Sequence, residues 1–61
     1  MNNIKKFREL RNISQADLAR QLTLSQQAIA KWETGEASPR ADKLLKLAEI
    51  LGCTVDELLR D

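Results

Sequence analysis

Apolar positions along the chain recur every three or four residues, and no stretch alternates with a period of two over strand length. That pattern predicts helices and no strands. Ile4, Phe7 and Leu10 give a first helix one apolar side, with Asn3 as its N-cap and Asn12 as a left-handed stop. Ser14 caps a second helix running to about Leu22, with Asp17 at its third position and Leu18, Ala19 and Leu22 inward. Thr23 and Leu24 form a very short connection. Ser25 caps a third helix from Gln26 to about Thr34, which Gly35 ends. Glu36, Ala37 and Ser38 read as a loop. Ser38 followed by Pro39 predicts the start of a fourth helix, as an N-cap with proline at the first helical position. That helix carries Leu44, Leu45, Leu47, Ala48 and Leu51 and stops at Gly52. Thr54 and Glu57 form a capping box for a fifth, short helix containing Val55, Leu58 and Leu59.

The expected fold is therefore all-α, a compact bundle of five helices in a single domain covering residues 1–61. Ten Leu, four Ile and one Val against two aromatics, Phe7 and Trp32, agree with helix rather than sheet. A chain of 61 residues buries only about 60% of its unfolded surface, which leaves no room for a large substrate pocket beside the core.

Composition removes several functions. With no His and only Cys53, there is no Cys/His metal site and no internal disulfide. No cofactor is expected, and no small-molecule ligand is evident. No apolar run approaches the roughly 18 residues of a membrane span, and no apolar signal core is present, so a cytoplasmic protein is expected. There is no nucleophile beside a base and no glycine-rich phosphate loop, so an enzyme is not expected. The net charge of +1 hides an asymmetry. Residues 1–40 carry seven basic and four acidic side chains, and residues 41–61 three and five. This suggests a basic working face at the front and an acidic back.

Residues 15–34 combine two helices with a tight turn. Ala19 is small enough for one helix to lie close across another. Leu24 can plug the corner, and Leu18, Ile29 and Trp32 supply the core beneath. This is the construction of a helix-turn-helix.

The strings LRNISQADLARQL, LSQQAIAKWETG, SPR and LLKLAEILGCTVDELL, in this order, resemble the Cro/C1-type (XRE) helix-turn-helix family of the lambdoid phage repressors. The resemblance runs from Phe7 to Leu59. The resemblance implies a DNA-binding domain with its third helix in the major groove, acting as a two-fold dimer on a palindromic operator. A regulator of transcription is implied, most readily a repressor. The alternative is a protein-interaction module, such as an antitoxin that also regulates its own synthesis.

Carried onto this chain, the resemblance assigns base reading to Gln26, Gln27, Ala28 and Lys31. Glutamine pairs a donor with an acceptor, matching the N6 and N7 edge of adenine. Ala28 suits a thymine methyl, and Lys31 a base or a phosphate. The competing reading is a set of solvated helix residues. Gln15 is implied to hold a phosphate, to touch a base edge or to brace Gln26. Ser25 is first a cap and second a phosphate contact. Arg40 is implied near the DNA backbone and minor groove, where arginine fits well. Trp32 is mainly core, with its indole N–H as a further phosphate donor. Arg8 and Glu33 are implied to form a partly buried ion pair between the first and third helices. Val55, Leu58 and Leu59 are dimer candidates, against burial in the monomer core. Two positions depart from the family. The turn position usually filled by glycine is Thr23, and Glu36 stands where many relatives have a basic residue.

Overall fold

The computed structural model describes residues 2–60. Five helices follow one another, α1 (Ile4–Leu10), α2 (Gln15–Leu22), α3 (Gln26–Thr34), α4 (Ala41–Leu51) and α5 (Val55–Leu59). Among the described residues there is no strand. The α2 helix packs most extensively against α3. The α1 helix lies on α3 and α5, and α4 on α2 and α5.

The centre holds Ile4, Leu18, Leu22, Ile29, Leu47, Leu51 and Leu58, all essentially without solvent contact. Ala19, Trp32 and Ala48 complete it, and Phe7, Ile13, Leu24, Leu44, Ile50, Cys53 and Val55 pack around it. Each fully buried Leu or Ile contributes roughly 1.5–3 kcal/mol. Burial also pushes the Cys53 thiol up, away from the reactive thiolate.

Helix starts are set by short polar side chains. Ser14 Oγ accepts from the Asp17 amide at 3.0 Å, and Ser25 Oγ from the Ala28 amide at 3.2 Å. Thr54 and Glu57 make the full capping box. The Thr54 amide donates to Glu57 at 2.9 Å, which holds the Glu57 carboxyl below the usual range. Three helix ends share one device. Asn12, Thr23 and Gly52 are left-handed, and the next amide reaches back five residues, Ile13 to Arg8, Leu24 to Ala19 and Cys53 to Ala48. Gly52 suits its position in two ways. Its φ is +67°, and a Cβ there would stand 1.7 Å from Arg11 Nη2, which lies across the chain while Arg11 Nε donates to the Leu51 carbonyl at 3.1 Å.

Four expectations need correction. Leu10 is 70% exposed rather than part of the apolar side of α1. Six residues advance a helix by about 240° from Ile4, whereas Arg8, four residues on, returns to within about 40°. The buried face of α1 is therefore Ile4 and Arg8. Asn3 occupies the N-cap position but makes no cap bond. Asn2 Oδ1 accepts from the Ile4 amide instead, and Asn3 Nδ2 donates to the Glu57 carbonyl, tying the start of α1 to the end of α5. The fourth helix begins at Ala41, not at Pro39. Residue 40 is extended, with ψ 162°, and Arg40 is the N-cap without a side-chain bond. Extended backbone covers about 3.3 Å per residue against 1.5 Å for helix, so the connection from Gly35 gains reach by starting α4 later. Leu58 is fully buried and has no surface to offer a second copy.

At the corner between α2 and α3, Thr23 takes φ 60°, ψ 42°. A β-branched residue in this region stores about 1–3 kcal/mol. Thr23 is exposed, so glycine would relieve the strain with little lost contact. Thr23→Gly raises stability by about 1 kcal/mol after glycine's own entropy cost. In thermal unfolding this appears as a Tm increase of about 4–8 °C. A lower Tm would show that the turn is not strained.

Candidate nucleic-acid interface

The helix-turn-helix is built so that α3 shows one narrow outer stripe. At about 100° per residue, Gln27, Ala30, Lys31 and Thr34 fall within roughly 100° of one another. These four line one surface groove together with Glu36. Gln27, Lys31, Thr34 and Glu36 are exposed, and Ala30 is half-buried. Ile29 and Trp32 on the opposite side anchor the helix in the core. The stripe therefore cannot rotate inward without emptying the core beneath it.

The candidates fall into three groups. Gln26, Gln27 and Lys31 are exposed; Gln27 and Lys31 lie in the stripe, and Gln26 lies about 100° round the helix from Gln27, toward α2. Ala28 is half-buried, about 100° round the helix from Gln27 on the side away from Gln26. Ser25 is exposed but already accepts from the Ala28 amide, so its cap role is in place. Arg40 is exposed at the N-terminus of α4, and neither it nor Lys31 forms an ion pair with another described residue. Three other cations are occupied. Lys43 Nζ donates to the Leu22 carbonyl at 3.0 Å, Arg20 pairs with Asp17, and Arg60 with Asp56 at 2.7 Å. Trp32 is 7% exposed, and its carbonyl accepts from Asn2 Nδ2 at 2.8 Å.

Behind this surface lies the ion pair. Arg8 Nε meets Glu33 Oε2 at 2.6 Å, and Arg8 Nη2 meets Oε1 at 3.3 Å. Arg8 Nη1 donates to the Ile13 carbonyl at 2.8 Å. The side chains are 11% and 4% exposed, so the charges are enclosed as well as paired. The Glu33 hydrogen bond holds the Arg8 guanidinium above its ordinary value, although burial opposes it. Glu33 Oε1 also accepts from Gln15 Nε2 at 2.9 Å, and Gln15 Oε1 accepts from Gln26 Nε2 at 3.3 Å. Gln15 thus braces Gln26, one of the roles its place in the motif implied. It is half-buried at the start of α2.

Two features were not read from the sequence. Ala30 and Thr34 join the outer stripe, which their spacing of three and seven residues from Gln27 would have signalled. The bond from Gln15 to Glu33 spans 18 positions and has no local signal. No cluster of metal-ligating side chains occurs among the described residues. Among the described residues, no helix is long and apolar enough to cross a membrane.

Comparison with known proteins places this geometry. The Helix-turn-helix family model matches residues 4–58. The chain is 52% identical over 40 residues to the 26 kDa repressor protein of Escherichia phage HK022, covering 66% of this chain and 17% of that protein. It is 38% identical over 56 residues to the HTH-type transcriptional activator BcrR of Enterococcus faecalis, covering 92% and 28%. The chain thus spans less than a third of the length of either relative. Among solved structures, it is similar to the P22 c2 repressor protein in complex with a synthetic operator. The TM-score is 0.86 at 37% identity, covering 93% of this chain and 86% of that one. From the five-helix fold, the α2–α3 corner and these matches together, the chain belongs to the helix-turn-helix family of the XRE, or Cro/C1, type.

Proposed function

We propose that the chain binds double-stranded DNA in a sequence-specific way and regulates transcription, as a repressor that covers an operator with α3 in the major groove. The observation that carries this reading is the exposed outer stripe of α3. It presents Gln27 at the helix start and Lys31 one turn later, with the exposed Gln26 flanking it on the side toward α2, on a helix whose other side is locked in the core. An α-helix fits the major groove, and glutamine amides match the adenine edge there. Lys31 and Arg40 supply charge for the DNA backbone, Arg40 toward the minor groove. Gln15 and Ser25 sit at the two helix starts, whose amides favour phosphate. Ala28 would face a thymine methyl from the flank of the stripe, and the Trp32 indole is a secondary phosphate donor. The similarity to an operator-bound repressor structure supports the same docking.

Binding as a homodimer on a palindromic operator is part of the proposal. Its surface would use Leu59, 53% exposed, with the accessible part of Val55. The action is occupation of DNA, with no reaction catalysed.

Salt dependence tests the DNA contact directly. Fluorescence anisotropy with a labelled random-sequence duplex, from about 50 to 200 mM salt, should show affinity falling steeply as counterions are released. Lys31→Ala should weaken all sequences alike and lower the salt slope by about 1. An altered preferred sequence in that variant would make Lys31 a base reader. Affinity that ignores salt would remove the DNA-binding reading. Glu36 near the phosphates keeps the non-specific affinity modest.

A further inference from the structure

We propose that Glu33 sets the direction of the hydrogen-bond relay ending on Gln26, and through it the base that Gln26 prefers. The inference rests on the DNA-reading role of Gln26 proposed above. An ionised carboxylate accepts hydrogen bonds and donates none. Glu33 Oε1 is therefore met by the NH2 end of the Gln15 amide, at 2.9 Å. The opposite end of that amide, Oε1, then faces Gln26, whose Nε2 donates at 3.3 Å.

A glutamine amide is almost symmetric in shape, so its oxygen and nitrogen exchange places by a half-turn about one bond. Here one enclosed charge removes that symmetry for two glutamines in series. Arg8 holds the charge still, through Nε at 2.6 Å and a third bond to the Ile13 carbonyl. Gln26 is left with its Oε1 and one N–H for the groove, in a fixed spatial order. Adenine presents a donor at N6 and an acceptor at N7, so the order of oxygen and nitrogen decides whether the edge fits. Glu33 touches no base in this scheme. It is a positioning residue, acting through Gln15.

The test is a selection of bound sequences from randomised duplex DNA. The folded fraction of each variant is checked by circular dichroism at the binding temperature. Gln26→Ala first identifies the base position that Gln26 reads. In Glu33→Gln, the new amide keeps its oxygen on Arg8 Nε and turns its NH2 to Gln15, so the relay reverses. Preference at the Gln26 position should fall about fivefold or more, while the Gln27 position and half-site spacing hold. In the double variant Glu33→Gln/Gln15→Glu, the carboxylate at position 15 accepts from both neighbours. The parental preference should return, which a merely structural role for Glu33 would not produce. Gln15→Leu cuts the relay without touching the Arg8 pair, and should flatten preference at that one position even if Glu33→Gln does not fold.

Two results would overturn the inference while leaving DNA binding intact. One is a folded Glu33→Gln that keeps the parental preference. The other is a Gln15→Leu that weakens every sequence by the same factor. A parent protein that enriches no sequence would remove the DNA-reading role and this inference together.

Discussion

Arg8→Ala should lower the unfolding free energy by about 3–5 kcal/mol. The loss is large because the substitution strands a second charge. Glu33 is 4% exposed, and without Arg8 its carboxylate keeps only the Gln15 amide as a donor. The Ile13 carbonyl also loses its side-chain partner. Enclosed groups left unpaired carry the desolvation cost in full, whereas a pair replaced on both sides does not. Domains of this size have only about 3–5 kcal/mol to lose. Arg8→Ala should therefore be largely unfolded at room temperature, and Arg8→Met/Glu33→Met clearly more stable than Arg8→Ala. Urea or thermal unfolding followed by circular dichroism reads both. A melting temperature for Arg8→Ala within a few degrees of the parent would contradict the buried ion pair. The fraction that does fold should still bind DNA, because the exposed side chains of α3 are untouched.

Gln27→Ala should do the reverse, leaving the fold unchanged and damaging recognition. The side chain is exposed and opens the outer stripe at the start of α3. Its loss removes no core contact. One bidentate base contact is worth about 1–3 kcal/mol of discrimination, or roughly 5- to 150-fold in affinity for the preferred site. The preference should relax at a single base position, and affinity for unrelated DNA should hold, since phosphate contacts carry that part. The pair of variants separates the two layers of the domain. One lowers stability with the site intact, and the other lowers specificity with stability intact. Competition binding against duplexes altered at one position measures the second. An unchanged preference would take Gln27 out of the base-reading set.

Much of this architecture is legible locally, because helix ends are local events. Ser14, Ser25, the Thr54–Glu57 box, Gly35 and Gly52 mark their boundaries where the periodicity does. The start expected at Ser38–Pro39 failed although the local signal is strong, because the chain stays extended through Arg40 to span from Gly35 to α4. Leu10 failed for a related reason. A seven-residue helix has only one buried row, and Arg8 occupies it. The dimer candidates could not be sorted without packing. Leu58 and Leu59 are neighbours in sequence, yet one is fully enclosed and the other half exposed. At the recognition surface, the residues on α3 were assigned through the family resemblance, and Ala30 and Thr34 were missed although their spacing from Gln27 marks them. The relay from Glu33 through Gln15 to Gln26 was not legible, because it joins two helices through side chains 18 and 11 positions apart.

The central claim is that α3 reads DNA sequence. Its most direct test is a binding selection from randomised duplex DNA at near-physiological salt, comparing the parent protein with Gln26→Ala/Gln27→Ala. The account predicts that the parent recovers a two-fold symmetric site, with half-sites about one helical turn apart, and that the variant, still folded, loses it. A folded parent that enriches no sequence, or a variant that recovers the same site as the parent, would contradict it.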